Sequence, residues 1–384
     1  MKRHGNLWPT LTSFQHLLRA SQKARRGKRF RAGVSAFEFH LEPELWKLQQ
    51  ALQEKTYRPG GYRSFYIYEP KKRLISAAPY RDRIVHHALT GILEPIFEPT
   101  FIADSYACRK GKGTHAAVDR SQHFARRFRY VLKADIRKFF PSMDHEILMH
   151  RVARKIKDPD VLWLTKLIVN NSNPQESVFE WFPGDSLFTP GERHRGIPIG
   201  NQTSQFFSNV YLDTLDHFVK EQLRIKGFVR YVDDFLLFSD DKRELAAARE
   251  QIIQLLAGLR LKLHPRKNTI LPVEDGFRFL GYRVFQTHRL LAKNNVWRFL
   301  RRVRKMQKDY SNGRATLPEI RQRLVSWVGH AQQADTHRLR RHLFGRISFQ
   351  RAAADSPCVA WRGVQQSTEE RPRCQSQQQP TGQP

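Results

Sequence analysis

The stretch Phe228-Val-Arg-Tyr-Val-Asp-Asp-Phe-Leu-Leu-Phe238 holds two apolar, β-prone runs, Phe228 to Val232 and Phe235 to Phe238, separated only by Asp233 and Asp234. Such a pattern reads as a hairpin with both carboxylates at its tip. Two like charges held side by side cost free energy unless a cation lies between them, so the pair points to a divalent ion. A third acid, Asp135, ends another β-prone run, Tyr130-Val-Leu-Lys-Ala134, 98 residues earlier. Three carboxylates converging on one edge suit Mg2+, which prefers hard oxygen ligands and keeps phosphates in its shell, and two-metal phosphoryl transfer follows. An Asp-Asp pair alone is common in turns, so the weight rests on the ordered set around it.

Outward from the hairpin, Ser142 to Lys155 has helical apolar spacing (Ile147, Leu148, Val152, Ile156), which gives the order strand, acid, helix. After a Pro-, Gly- and Ser-rich loop at 171–195, the turn Gly196-Ile-Pro-Ile-Gly200 opens a helix expected over Thr203 to Gly227. A further helix is expected from Asp241 to Ala257, ended by Gly258, then strands Leu261 to Leu263 and Phe277 to Phe285. Together these make an α+β lobe of the βαββαβ kind. Upstream, a helix is expected over Pro43 to Gln53, and strands Tyr62 to Tyr68 and Arg73 to Ala77 flank a basic turn, Glu69-Pro-Lys-Lys72.

The 384 residues carry 67 Lys and Arg against 36 Asp and Glu, a formal charge of +31 that calls for a polyanionic partner. The excess is concentrated: residues 1–31 hold nine Lys/Arg and no acid, and residues 298–351 hold fourteen against three acids. Three scattered cysteines, Cys108, Cys358 and Cys374, argue against a disulfide framework or a Cys-rich zinc site and fit a cytoplasmic setting. No run of 18 apolar residues and no leader pattern occurs, so a soluble protein with no membrane partner is expected. Seven Gln between 365 and 384, with Pro, Ser and Gly, mark residues 351–384 as a tail expected to be disordered.

The ordered motifs resemble the reverse transcriptase family over residues ~37–345. Tyr231-Val-Asp-Asp234 is similar to its YxDD box, Lys133-Ala-Asp-Ile-Arg-Lys-Phe-Phe140 to its first metal motif, and Gly196-Ile-Pro-Ile-Gly200 to its template and nucleotide loop. His264-Pro-Arg-Lys267 is similar to its lysine motif and Phe279-Leu-Gly-Tyr282 to its primer grip, Leu280, Gly281 and Tyr282 included. The resemblance implies an RNA-directed DNA polymerase shaped as a right hand. Residues 1–32 are then a basic extension, 33–130 and 180–200 fingers, 131–179 and 201–285 palm, and 286–350 an α-helical thumb. Asp135 and Asp233 would bridge two Mg2+ ions, with Mn2+ an alternative, Asp234 assisting and the Ile136 carbonyl adding a ligand. Lys71 and Arg73 would clamp the dNTP triphosphate, with Lys72, in the same basic turn, a weaker candidate. Phe140 would exclude a 2′-OH or, on the plainer reading, simply fill core. Ile199 and Gly200 would face the nascent pair, and Lys267 would act as general acid or as a phosphate contact.

Within the family the chain is most similar to the reverse transcriptases of diversity-generating retroelements, in its loop Gly196-Ile-Pro-Ile-Gly-Asn-Gln-Thr-Ser-Gln205 and in Ser326-Trp-Val-Gly-His-Ala-Gln-Gln-Ala-Asp-Thr-His337. Ile199, where most bacterial relatives have Gln, carries this likeness. It implies error-prone copying of a template RNA into cDNA from a primer, and a small basic accessory variability protein as partner. A retron or phage-defence reverse transcriptase, and a non-catalytic RNA-binding protein retaining the fold, are the alternatives. A group II intron enzyme fits less well, because Cys/His pairs of an attached endonuclease are lacking and because of Ile199.

Overall fold

The computed structural model describes residues 2–68, 72–172 and 178–351, and the backbone of 359–360. The chain divides into two compact units, residues 1–277 and 278–384. Among the described residues no helix is long and apolar enough to cross a membrane. Lys71 and nearly all of the tail lie outside the described residues.

In the first unit, helices α1 (Trp8–Leu11), α2 (Phe14–Ala24), α3 (Ala32–Phe39) and α4 (Leu41–Gln53) come first. The basic N-terminal segment is packed in, because Leu17, Ala20 and Ala24 of α2 are buried and α2 lies along α5 (Tyr80–Phe97). Between α4 and α5, strands β1 (Arg63–Ile67) and β2 (Arg73–Ala77) form an antiparallel hairpin. Helices α5, α6 (Thr114–Ala125) and α9 (Pro159–Asn170) fill stretches to which the sequence reading assigns no element.

The central sheet runs β4 (Gly227–Tyr231), β5 (Asp234–Ser239), β3 (Tyr130–Asp135), β6 (Thr269–Pro272), with neighbouring strands antiparallel. In chain order this is the expected strand–helix–strand–strand–helix–strand connectivity. Its last strand is β6, whereas Leu261–Leu263 makes only one bridge, between Leu263 and Ile136. Side chains alternate across a strand: Leu132, Ala134, Phe235 and Leu237 join the main core with α11 (Gln202–His217) and α12 (Lys242–Gly258). Phe238 instead meets Phe124 of α6 and Phe277, with ring centroids 5.7 and 5.6 Å away. Covering both faces explains why these strands read as unbroken apolar runs. Truncating one such phenylalanine should cost about 3–5 kcal/mol.

Three boundaries depart from expectation. The helix expected over Ser142 to Lys155 is split into α7 (Phe139–Ser142) and α8 (His145–Ala153), because Asp144 leaves helical geometry to cap α8, accepting from the Ile147 N–H at 3.1 Å. The helix expected to reach Gly227 ends at His217 and passes through a π-turn, Phe218–Gln222. Gly227 is needed as a strand residue: a Cβ there would lie 2.7 Å from that of Phe238. Gly258 is still helical in α12, and the left-handed residue after it is Arg260, φ +54°.

In the second unit, β7 (Phe277–Phe279), which begins at the boundary, β8 (Tyr282–Val284) and β9 (Arg289–Leu291) form a three-stranded sheet. The single strand expected over Phe277 to Phe285 is broken at Leu280 and Gly281, whose φ values are +47° and +92°. Helices α13 (Lys293–Ser311), α14 (Leu317–Ala331) and α15 (His337–Phe344) follow, and β10 (Ser348–Phe349) pairs with β11 (Val359–Ala360). Phe299, Val303, Met306, Ile320 and Leu324 build this core, with Trp327 stacked on Phe299 at 3.7 Å and 11°.

Candidate active site

Register brings the acids together. β3 and β5 pair residue for residue, so Asp135 lies directly opposite Asp234, and the Ile136 N–H donates to the Asp233 carbonyl at 3.1 Å. Tyr231 pairs with Asp234, so the two turn residues are Val232 and Asp233 rather than the two aspartates. Asp234 opens β5. Val232 has φ +56°, in the place where a two-residue hairpin favours glycine, a strain of roughly 1–3 kcal/mol for a β-branched residue.

Directly opposed like charges destabilise a sheet, and the site answers this in two ways. Burial and the neighbouring Asp135 and Asp234 charges push the Asp233 carboxyl up to about 6, against the pull of Arg73. On the far side, the Lys267 Nζ donates to Asp135 Oδ2 at 2.8 Å. Lys267 is aimed by a tight turn with Pro265 at its second position: the Lys267 N–H donates to the His264 carbonyl at 3.2 Å, and the His264 N–H to that of Asp135 at 2.7 Å.

Beneath the tip lies a buried support that the motifs do not reveal. Arg230 and Asp216, both with fully buried side chains, form a bidentate pair with two contacts of 2.6 Å. Arg230 Nη1 also donates to the Val232 carbonyl at 3.1 Å, and Nη2 to Ser105 Oγ at 3.1 Å. The guanidinium therefore holds the strained residue itself. An arginine between Val229 and Tyr231, inside an otherwise apolar run, was the available signal.

The loop Gly196–Gly200 is pinned from both sides. The Gly196 and Ile197 N–H groups donate to the carbonyls of Met143 and Phe140, both at 2.9 Å, and the Ser76 N–H of β2 donates to the Ile199 carbonyl at 3.0 Å. Gly200, at φ +121°, has a backbone that a side chain would strain, and a Cβ would stand only 3.0 Å from Ile75 Cγ2. Phe140 is half-buried beside Phe139, ring centroids 5.4 Å apart. The structure thus gathers Asp135, Ile136, Asp233, Asp234 and Lys267, joins Phe140 to the Ile199–Gly200 loop, and sets Arg73, exposed at the start of β2, within electrostatic reach of Asp233. Leu280, Gly281 and Tyr282 belong to the second unit, where the Tyr282 hydroxyl lies 2.8 Å from His330 Nδ1 and 2.9 Å from the His330 carbonyl.

Among the described residues no group of three His, Cys, Asp or Glu side chains forms a ready metal cage. Mg2+ is usually held by one or two carboxylates and completed by water and substrate phosphates, so the donors here are of the fitting kind. The ladder beside Ile136 uses the Asp135 carbonyl and the Arg137 N–H, and does not consume the Ile136 carbonyl.

The family model described as reverse transcriptase (RNA-dependent DNA polymerase) matches residues 67–284, more than half the chain and every site residue named above. Protein YkfC of Escherichia coli (strain K12) is 27% identical over 286 residues, 64% of this chain and 72% of that protein. The group II intron-encoded protein LtrA of Lactococcus lactis subsp. cremoris is 27% identical over 188 residues, 48% of this chain and 29% of that protein. The nuclear intron maturase 1, mitochondrial, of Arabidopsis thaliana is 29% identical over 85 residues, 22% of this chain and 12% of that protein. Family members generally use divalent metal ions. With this match joined to the paired acids on β3 and β5, the chain belongs to the reverse transcriptase family and is an RNA-directed DNA polymerase.

Proposed function

We propose that the chain copies a template RNA into cDNA by two-metal phosphoryl transfer, error-prone at template adenines, as part of a cytoplasmic diversity-generating retroelement. The observation that carries the chemistry is the Asp135–Asp234 register with Asp233 in the adjoining turn and Lys267 on Asp135. Asp135 and Asp233, with Asp234 and the Ile136 carbonyl, are the residues that would hold two Mg2+ or Mn2+ ions. Bound there, such ions would lower the proton affinity of the primer 3′-OH and neutralise charge on the phosphates. The chain's own groups do the rest. Arg73 and Lys71 hold the dNTP triphosphate; Phe140 closes the space a 2′-OH would need; Lys267, beside Asp135, gives its proton to the departing pyrophosphate or serves as a phosphate contact. Residues 33–130 and 180–200 act as fingers, 131–179 and 201–285 as palm, where Leu280, Gly281 and Tyr282 steady the primer, and 286–350 as thumb.

Asp233→Asn with Asp234→Asn is expected to abolish Mg2+-dependent primer extension on RNA while folding and RNA binding persist; undiminished synthesis rejects the assignment. The lineage rests on Ile199, which can only pack where a Gln could hydrogen-bond. Losing one such contact is worth ~1 kcal/mol, a several-fold change in misincorporation. Sequenced cDNA should show adenine errors that fall selectively in Ile199→Gln. An unchanged spectrum removes the mutagenic reading. The similarity to LtrA and the intron maturase favours a second reading, an intron-type enzyme. Sequencing the copurifying RNA separates them: a template repeat, an intron, or the structured RNA of a defence system. A small basic accessory protein in the same complex would support the first.

A further inference from the structure

Between α9 and α11, residues 178–195, which hold the short helix α10 (Thr189–Glu192) and lie largely in the proposed fingers, are built around a buried pair. Arg193 is bonded to Asp185, and their side chains are 6% and 8% exposed. Asp185 also accepts from the Phe182 N–H at 2.7 Å, and the His194 carbonyl takes the His145 N–H at 3.0 Å. Arg193 Nε and Nη1 are buried and make no hydrogen bond, Asp144 Oδ2 being 3.8 Å from Nε. Leaving guanidinium N–H groups so placed is costly unless an anion completes them.

More cations converge on the same place. Arg137, Arg195, Arg260 and Lys262 line a small cavity with Arg193 and Phe182. Glu180 answers Arg137 at 3.0 Å and Lys262 at 2.6 Å, Asp144 and Glu146 answer Arg260 at 2.6 and 3.2 Å, and Asp185 answers Arg193, so these acids are fewer than the cations Arg137, Lys138, Arg193, Arg195, Arg260 and Lys262 around the cavity. The cations also lie over rings: Lys262 Nζ 5.2 Å from the centre of Phe182, and the Arg195 guanidinium 5.2 Å from that of Phe179. Facing outward from this charged bed are Phe179, Trp181 and Phe188, 60%, 53% and 71% exposed.

We propose that residues 178–195 are a stacking platform for an unpaired RNA strand, with bases on Phe179, Trp181 and Phe188 and phosphates on Arg137, Arg195, Arg260 and Lys262. Aromatic faces amid cations suit single strands, because every base has a π-face and every link a negative charge. A duplex hides its base faces, and a basic protein would be repelled. Arg137 follows Asp135 by two residues, so a strand held here lies beside the acidic edge. The choice of RNA rests on the proposed function.

The test measures binding of a labelled mixed-sequence single-stranded RNA, and of its duplex, to the full chain by fluorescence anisotropy. Phe179→Ala/Trp181→Ala/Phe188→Ala should lose about tenfold or more in affinity for the single strand, with duplex binding and the thermal midpoint unchanged. Trp181→Phe should retain binding that Trp181→Leu loses, which serves if the triple variant folds poorly. Photo-crosslinking of thiouridine RNA to wild-type protein should mark a peptide within 178–195. Unchanged single-strand affinity, equal loss on duplex, loss of a copurifying protein instead of RNA, or crosslinks only elsewhere would each overturn the platform. Primer extension on the same samples keeps the two readings apart: a wild type that makes no DNA yet crosslinks through 178–195 sinks the function and keeps the platform.

Discussion

Two hairpins of the first unit are built on opposite principles. In β4–β5 nearly every residue is buried, the turn is two residues long, and an arginine–aspartate pair inside the core grips the turn from below. In β1–β2 all five residues of β1 are exposed, among them Phe65, Tyr66 and Ile67. What is fixed is the base, where Asp82 of α5 accepts from the Tyr57 hydroxyl at 2.8 Å and the Gly60 N–H at 2.7 Å, and where β2 meets the Ile199 carbonyl. The first hairpin holds charges where they repel each other. The second holds apolar and basic surface whose burial awaits something else.

The contrast is most severely tested at Arg230. Arg230→Met alone leaves the buried Asp216 carboxyl without its partner, so about 3–5 kcal/mol of stability should be lost in chemical denaturation. Arg230→Met with Asp216→Leu should recover most of it, yet synthesis should stay low because the Val232 carbonyl has lost its donor. Full activity in the folded double variant would mean that the grip is dispensable.

A smaller effect is expected at Asp233. Its carboxyl binds a proton more tightly in the folded chain than in the unfolded one, about 6 against an ordinary value of 3.8. This contribution to stability is complete below about pH 4 and lost as pH rises through 6. In chelator, Asp233→Asn should therefore raise stability by about 1–3 kcal/mol at pH 8 and by almost nothing at pH 4. Thermal scans at the two pH values check the sign; equal gains would mean that repulsion among the three acids is not the cause.

The smallest stability change belongs to the exposed hairpin. Phe65→Ser or Tyr66→Ser should alter the unfolding free energy by no more than about 0.5 kcal/mol, while KM for dNTP or template rises. A large loss of stability would show that β1 is already part of a core, and the contrast would fail.

The candidate site was legible in short strings: Asp135, Asp233 and Asp234 by their chemistry, Lys267 and the Gly196–Gly200 turn by their likeness to family motifs. The fold between them was harder. Helix α5 buries Ile84, Val85, Ala88 and Leu89, and also Asp82, His86 and Thr90, so no single apolar stripe marks it. Strand β6 is four residues ending in Pro272, which an edge strand tolerates but which reads as a break. The Arg230–Asp216 pair joins residues fourteen apart on a strand and a helix, and only the folded chain brings them together.

The residue-for-residue pairing of β3, β5 and β4 has a consequence for how such a chain can vary. A strand's two faces alternate with a period of two, so one residue added to or removed from the Val232–Asp233 turn would carry Phe235 and Leu237 out of the main core and Leu236 and Phe238 into it, and would move Asp234 away from Asp135. Val232 at the tip can be exchanged for another residue. The turn's length cannot drift, so in any lineage of working descendants insertions and deletions should be confined to connections away from this edge.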